Sequence, residues 1–245
     1  MPTTPLSPSP RTTVNRGRSR AVADRDQMHA LLTDALVAHV GVVMGGHPVV
    51  LPAAYAVDPA GPDRDGTLYV HGSVAAGWLR GATDTTVCVT VTQLDGLVAG
   101  RSAFHHSMNY RSAVVIGRAR LVDDPAEKAR ALALIVDHMV PGRSPTLRPD
   151  TRKELAATAV LAVPLHEASL KARDGGPVDE PDDVAAGIWG GHVPVRLVAG
   201  DPVPDDDSHG PVPADVAARA HQLGGPGLRA GEDAEPAAAG ARATR

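Results

Sequence analysis

Phe104-His105-His106-Ser107-Met108-Asn109-Tyr110-Arg111-Ser112-Ala113-Val114-Val115-Ile116-Gly117 sets a crowd of polar and aromatic groups immediately before a β-rich apolar run. Strand cores do not need such a cluster. Its histidines, serines, asparagine, tyrosine and arginine offer donors, a stacking ring and a permanent cation, which a site for a planar, anionic ligand requires. The competing reading is a polar loop that merely caps a strand, since binding loops are a minority of loops.

A second cluster lies upstream. Leu68-Tyr69-Val70-His71 reads as a strand, Gly72 permits an unusual backbone turn, and Ser73 is placed to cap a short helix running to about Arg80. Strand, glycine and helix start together form an anion-binding geometry, with unpaired N–H groups and the positive end of the helix dipole aimed at a phosphate. Many such turns bind nothing, so this cluster gains weight only beside the first.

Around these clusters the periodicities alternate. Asp24-Arg25-Asp26-Gln27 has the look of a capping box, and Met28, Leu31, Leu32, Ala35 and Leu36 recur at helical spacing, predicting a helix from Arg25 to about Val37. Val40 to Met44, the pair Gly45-Gly46 and Pro48 to Leu51 read as a hairpin with a glycine turn. Thr86 to Leu94, Asp95-Gly96 and Leu97 to Phe104 read as another. With Thr67–His71, Arg111–Val122 and Ala159–Val163 the strands suffice for a closed antiparallel barrel, an arrangement that removes exposed edges. Asp124-Pro125-Ala126-Glu127 starts a longer helix whose apolar face, Ala131, Leu134, Ile135 and Met139, covers the barrel. His138 sits near its C-terminus and is assigned to the helix dipole rather than to a site. The predicted class is α+β, a β-barrel with peripheral helices.

The chain has 245 residues and low-complexity ends, which leaves one domain over residues 24–199 between tails at 1–23 and 200–245 that are expected to be disordered. A shorter hinge-like loop is expected at Asp174 to Asp183. A net charge of -4 leaves no electrostatic footprint for nucleic acid, and 2% aromatic content leaves few rings for stacking single strands. Cys88 is the single cysteine, which rules out an intrachain disulfide and a cysteine zinc cluster and fits a reducing, cytoplasmic setting. No apolar run is long enough for a membrane span, and the N-terminus lacks the apolar core of a secretory signal.

The two clusters resemble the flavin-binding split-barrel proteins related to pyridoxamine 5'-phosphate oxidase, in particular the branch with the nitroimidazole-resistance proteins. The resemblance runs from about Arg16 to Pro204. It rests on His71-Gly72-Ser73, on Cys88-Val89-Thr90-Val91-Thr92, on Phe104 to Ser112, on Glu154-Leu155-Ala156-Ala157-Thr158 and on Ile188-Trp189-Gly190-Gly191-His192-Val193-Pro194. It implies an FMN-binding split barrel that passes electrons from a nicotinamide donor to a small organic acceptor and works as a homodimer with two equivalent sites at the interface. It also places His71, Gly72 and Ser73 along the ribityl-phosphate side, Val91 and Thr92 beside the ring, and Ser107, Asn109, Tyr110, Arg111 and Ser112 around the rest of the pocket. Arg111 is the natural phosphate partner, because its guanidinium can make two parallel charged hydrogen bonds. Trp189 is expected across the interface against the flavin edge.

The chain departs from this pattern at Ala76 and Gly77, where related proteins carry a Ser-Arg pair; Arg80, one turn further on, is the nearest substitute. That loss motivates an alternative of a different class, a binding protein for flavin, deazaflavin or haem with little turnover of its own. The signature arginines of true pyridoxamine-phosphate oxidases are not evident, which disfavours that reaction. His105 and His106 offer a metal or haem ligand, but adjacent strand residues point to opposite faces and both would not bind one metal. No nucleophile-elbow pattern supports a hydrolase triad.

Overall fold

The computed structural model describes residues 5–224. In chain order it runs β1 (Ala21–Val22), α1 (Arg25–Asp34), β2 (Ala38–Met44), β3 (His47–Ala53), β4 (Tyr55–Asp58), β5 (Thr67–Ser73), α2 (Gly77–Ala82), β6 (Thr86–Ala99) and β7 (Ser107–Arg118). Then come β8 (Arg120–Leu121), α3 (Pro125–Met139), α4 (Arg152–Ala157), β9 (Thr158–Pro164), β10 (Ala168–Arg173), α5 (Pro181–Ala185), β11 (Gly191–Pro194) and α6 (Ala214–Gly224).

Every paired strand is antiparallel. One sheet has the order β1-β10-β7-β6-β2-β3, with β11 on β6, and the other has the order β4-β5-β9-β8. Alternation along β2, β6 and β7 turns Val40, Val42, Val87, Val89, Val91, Ala113 and Val115 inward, where they meet Leu68, Val70, Leu161 and Val163 of the second sheet in one buried cluster. The strand pattern predicts an antiparallel barrel, and the split form is the one that the family resemblance implies. The opposite face of β5 and β9 is also apolar, and Tyr69, Val160 and Ala162 pack there under Ala131 and Ile135 of α3.

Several elements follow the sequence signals closely. Gly45 and Gly46 both take positive φ, 56° and 82°, and form the turn between β2 and β3. Asp124 caps α3 by accepting the Glu127 amide at 2.8 Å, with proline at the first turn. Glu127 does not reciprocate. Its carboxylate goes to Arg120 and to the Tyr69 hydroxyl, which donates at 2.9 Å. At α1, Asp24 accepts from the Asp26 amide, and the helix stops at Asp34, three residues before the expected end. The buried Tyr55 hydroxyl meets the carbonyl oxygens of Leu32 and Ala35 at 2.7 and 2.9 Å and so satisfies the end of α1.

Two local expectations are corrected. Asp95-Gly96 is a bulge rather than a hairpin turn: β6 continues through it as one 14-residue strand, and its register against β7 shifts between Leu94 and Gly96. Gly96 takes no positive φ, which the expected two-residue turn would need, and β7 keeps pairing on both sides of the bulge. Ser73 is not a helix cap. It pairs with Thr158 as the last residue of β5, while α2 begins at Gly77 with Ala76 as its cap.

The segment before residue 24 is likewise more than a tail. Leu6 and Thr12 are buried, the Ser7 amide donates to Ala168 O at 2.7 Å, and β1 adds an edge to β10. A composition rich in Pro, Ser, Thr and Arg hides the one leucine that anchors it. Residues from Leu197 onward form a separate unit whose described part includes α6; the low-complexity run 225–245 falls outside the described residues. Among the described residues no helix is long and apolar enough to cross a membrane.

Candidate functional site

From Ser107 onward the polar run that opened the sequence reading is strand, with Phe104 to His106 in a turn before it, and it forms half of a candidate site on the β6–β7 ladder. β6 is longer than its neighbours on one side: β2 covers Cys88 to Thr90, β11 covers Gly96 to Ala99 and the Val195 amide donates to Asp95 O at 3.0 Å, so residues 91–94 face no strand there. At this gap Thr92 and Ser112 sit opposite each other with their hydroxyls 2.9 Å apart. Arg111 stands opposite Gln93 and donates twice to Asp95, Nε to Oδ2 at 3.1 Å and Nη2 to Oδ1 at 2.9 Å, with Asp34 at 3.9 Å. These contacts hold the Arg111 guanidinium above its already high pKa, the hydrogen bond to Asp95 acting first. Gln93, on the face of Val91, has a buried Oε1 with no hydrogen-bond partner, an acceptor left unsatisfied beside the gap.

The remaining sequence candidates separate. Val91 is 1% exposed and belongs to the barrel core. Asn109 is buried with its amide engaged, donating to Gly175 O at 3.1 Å and accepting from Arg173, so it braces the loop that follows β10. Tyr110 is half-buried opposite Leu94, and Ser107 lies at the start of β7 beside His105 and His106 on the wall of a cavity of about 550 Å³. Trp189 is 67% exposed. Its segment is fixed by Arg101, whose Nε donates to Ile188 O at 2.9 Å and whose Nη1 pairs with Asp179 at 2.7 Å. The expected hinge at Asp174 to Asp183 is therefore tied at Gly175 by Asn109 and at Asp179 by Arg101.

The His71-Gly72-Ser73 group forms a second locus. His71 shares the face of Tyr69 toward α3, a Cβ on Gly72 would meet Leu79 Cδ1 at 2.8 Å, and Ser73 Oγ accepts from the Ala75 amide at 3.2 Å. Val74 donates to Ala157 O, which brings the Glu154–Thr158 motif against this turn, and the two line a largely apolar cavity of about 430 Å³ with Arg80 and Lys128 on its wall. Arg80 folds over the turn, donating from Nη1 to Val74 O at 3.1 Å and Ala75 O at 3.0 Å. Its Nη2 lies 4.0 Å from where a Gly77 side chain would begin, so the cation takes up the space that Gly77 leaves open. The end of α2 leads into Thr86, and Thr92 is six residues further along β6, roughly 20 Å at the rise of an extended strand. One subunit does not bring the two loci together into a single compact pocket.

The comparisons agree with this architecture. The family model for pyridoxamine 5'-phosphate oxidase matches residues 24–172. The chain belongs to the pyridoxamine 5'-phosphate oxidase family. Within the solved structures, this family member is 38% identical to the flavocytochrome Anf3 from Azotobacter vinelandii, with a TM-score of 0.79 over 86% of this chain and 97% of that one. It is 36% identical to the FAD and haem binding protein from Mycobacterium smegmatis, with a TM-score of 0.75 over 84% of this chain and 98% of that one. A putative 5-nitroimidazole antibiotic resistance protein from Bacteroides thetaiotaomicron shares the fold at 22% identity and a TM-score of 0.50, over 62% of this chain and 85% of that one. Among curated proteins nothing matches.

Sequence reasoning missed Gln93, Asp95 and Arg173. Asp95 was read as part of a turn, and the only available hint was that Asp95-Gly96 interrupts a strand whose pattern resumes at once. Gly100 was missed as well, and it carries a prediction. A Cβ there would lie 2.5 Å from the His105 carbonyl carbon, so Gly100→Ala is expected to displace the Ser102–His106 loop and cost about 1–3 kcal/mol, read as a lowered thermal midpoint.

Two half-buried imidazoles set a pH dependence. Burial lowers the pKa of both His29 and His71 below the ordinary 6.5, and His29 Nε2 and His71 Nδ1 have no hydrogen-bond partner. The unfolded chain therefore takes up protons first as the pH falls. Stability contributed by the neutral rings is full above 6.5 and lost progressively below it. Urea melts from pH 7.5 to 5.5 are expected to show a falling midpoint, and His71→Asn should flatten part of that fall.

Proposed function

We propose that the chain is a flavin-dependent redox protein that takes electrons from a nicotinamide donor and passes them to a small organic acceptor. The observation that carries this is the interrupted edge of β6. A flavin ring has one face for electron exchange and a rim of donors and acceptors, and the gap at residues 91–94 offers backbone groups facing no strand with the Thr92–Ser112 hydroxyl pair on one face of the ladder and the unsatisfied Gln93 Oε1 on the other. These residues fit such a ring. Arg111, on the face of the ladder opposite the Thr92–Ser112 pair, is held by Asp95 and would meet a phosphate by exchanging that carboxylate for it. The bound flavin would supply the redox chemistry; the chain's own residues hold it, exclude water and fix its rim.

FAD is favoured over FMN as the flavin. One of the relatives above 30% identity is named for FAD, and the turn locus lacks the Ser-Arg pair while opening an additional cavity beside Arg80. The separation of the two loci favours a homodimer in which the partner's turn locus completes the site. Exposed apolar side chains on adjacent strands, Leu97 at 49%, Met108 at 52% and Val193 at 55%, supply surface for such a contact.

Haem is a second cofactor to be tested, favoured by a specific observation. His71 is kept neutral by burial with its Nδ1 unpartnered, the state in which an imidazole can ligate iron, and the two solved relatives are a flavocytochrome and a protein named for haem. Titration with FMN, FAD, a deazaflavin and haem, followed by anaerobic addition of NADH or NADPH, tests the whole reading. Tight flavin binding with no reduction by either donor would instead support a binding module.

A further inference from the structure

We infer that the cavity at the start of β7 is the docking site for the phosphate groups of a nicotinamide dinucleotide, the electron donor in the reading above, on which this inference rests. The cavity, of about 550 Å³, is walled by Ser19 and Arg20 before β1, by Phe104 to Ser107, and by the strand end and loop from Ala172 to Val178. The family match ends at residue 172 and begins at 24, so much of this wall lies outside the family core. It is a feature of this chain's extensions rather than of the shared barrel.

Charge sets its chemistry. The chain as a whole is negative, at -4, yet the cavity gathers two arginines and two histidines against one aspartate of its own. Arg20 makes no ion pair among the described residues, and Arg173 spends its donors on neutral oxygens, those of Asn109, Gly175 and Gly176, so neither cation is neutralised. Of the acids nearby, Asp179 is held by Arg101; Asp174 Oδ1 accepts only from the neutral Gly175 amide and keeps its charge, so two guanidinium groups face one carboxylate on this wall. His106 donates from Nδ1 to the Ser102 carbonyl oxygen, 2.9 Å away, which leaves Nε2 for a ligand. Two guanidinium groups without an ion pair, in excess over the one carboxylate of the wall, fit phosphate oxygens better than a lone carboxylate.

The remaining wall asks for a flat ring. Phe104 is 89% exposed and stands edge-on to His105, with ring centroids 5.2 Å apart. An apolar ring left in solvent beside a cationic pocket suits a ligand that is charged at one end and aromatic at the other, as a dinucleotide is. Ser107 opens β7, the same strand that carries Arg111 and Ser112, so a donor seated here lies along the ladder that holds the proposed flavin site.

The test uses NADP+, which binds without turnover, titrated calorimetrically at low salt into the full chain loaded with flavin. Arg20 lies on the surface outside the barrel core, so its variants keep the fold. Arg20→Ala is expected to weaken NADP+ by about tenfold and Arg20→Glu by about a hundredfold, in line with the loss and reversal of one charged contact, with flavin content and melting temperature unchanged. Inorganic pyrophosphate should compete with NADP+ in the wild type. Unchanged NADP+ affinity in Arg20→Glu would overturn the site, and so would pyrophosphate binding without any NADP+ binding, which would reduce it to a simple anion site. A chain that takes up no flavin yet binds NADP+ with this Arg20 dependence would sink the flavin reading while leaving the donor site standing.

Discussion

Replacing Arg111 with alanine is expected to weaken FAD and FMN binding by one to two decades, while riboflavin loses less. The guanidinium is the fixed cation beside the β6 gap, and a charged hydrogen bond is worth about 1.5–3 kcal/mol. Two effects need separating, because Asp95 shares the same group at 2.9 Å and would be left without its cation. Asp95→Asn serves as the control: it removes the acid, leaves the guanidinium free for a ligand, and is expected to retain or improve flavin affinity. Equal loss of all three flavins in Arg111→Ala would assign the residue to the fold or to the ring and remove it from the phosphate. Parallel titrations by flavin fluorescence quenching distinguish the cases.

The second large effect falls on stability. Arg120 joins β8 to α3 and to the loop before β5, donating to Asp63 at 3.0 and 2.9 Å and to Glu127 at 3.0 and 2.5 Å. Both carboxylates are mostly buried, with side chains 14% and 16% exposed. Arg120→Ala strands two acids away from water with no cation, which is expected to cost about 3 kcal/mol. The Tyr69 hydroxyl, pushed up to about 12 chiefly by burial, reports the same network, since it donates to Glu127. Chemical denaturation should show the loss directly. A change under 1 kcal/mol would mean that solvent reaches these acids and that α3 is held by Ala131 and Ile135 alone.

The parts of this structure that could be read from the chain are those set by local physics. Apolar alternation marked β2 and the first part of β6, and continuous apolar runs marked β5 and β9; the proline and aspartate before Ala126 gave the start of α3; two adjacent glycines gave the β2–β3 turn. The misread parts depend on what a segment meets across space. Asp95-Gly96 has the composition of a turn, but continued pairing with β7 on both sides of it, and Arg111 on the Asp95 carboxylate, make it a bulge. Ser73 has the composition of a helix cap, but Thr158 claims it for a sheet. Asn109 is a site candidate by its place in the polar cluster before the expected strand and by the family resemblance; only the fold shows that Arg173 and Gly175 already engage its amide. Gln93 shows the converse. Nothing in its neighbours along the chain marks it, and its significance is an unpaired oxygen created by the gap between β2 and β11.

Flavin binding is the claim on which the account turns, and the absorption spectrum of the purified full chain after incubation with FAD and removal of excess ligand tests it most directly. The account predicts a yellow protein with stoichiometric flavin absorbance that bleaches when NADPH or NADH is added without oxygen, and that loses most of its flavin in Arg111→Ala. A colourless chain that retains neither FAD nor FMN and oxidises neither donor would contradict it.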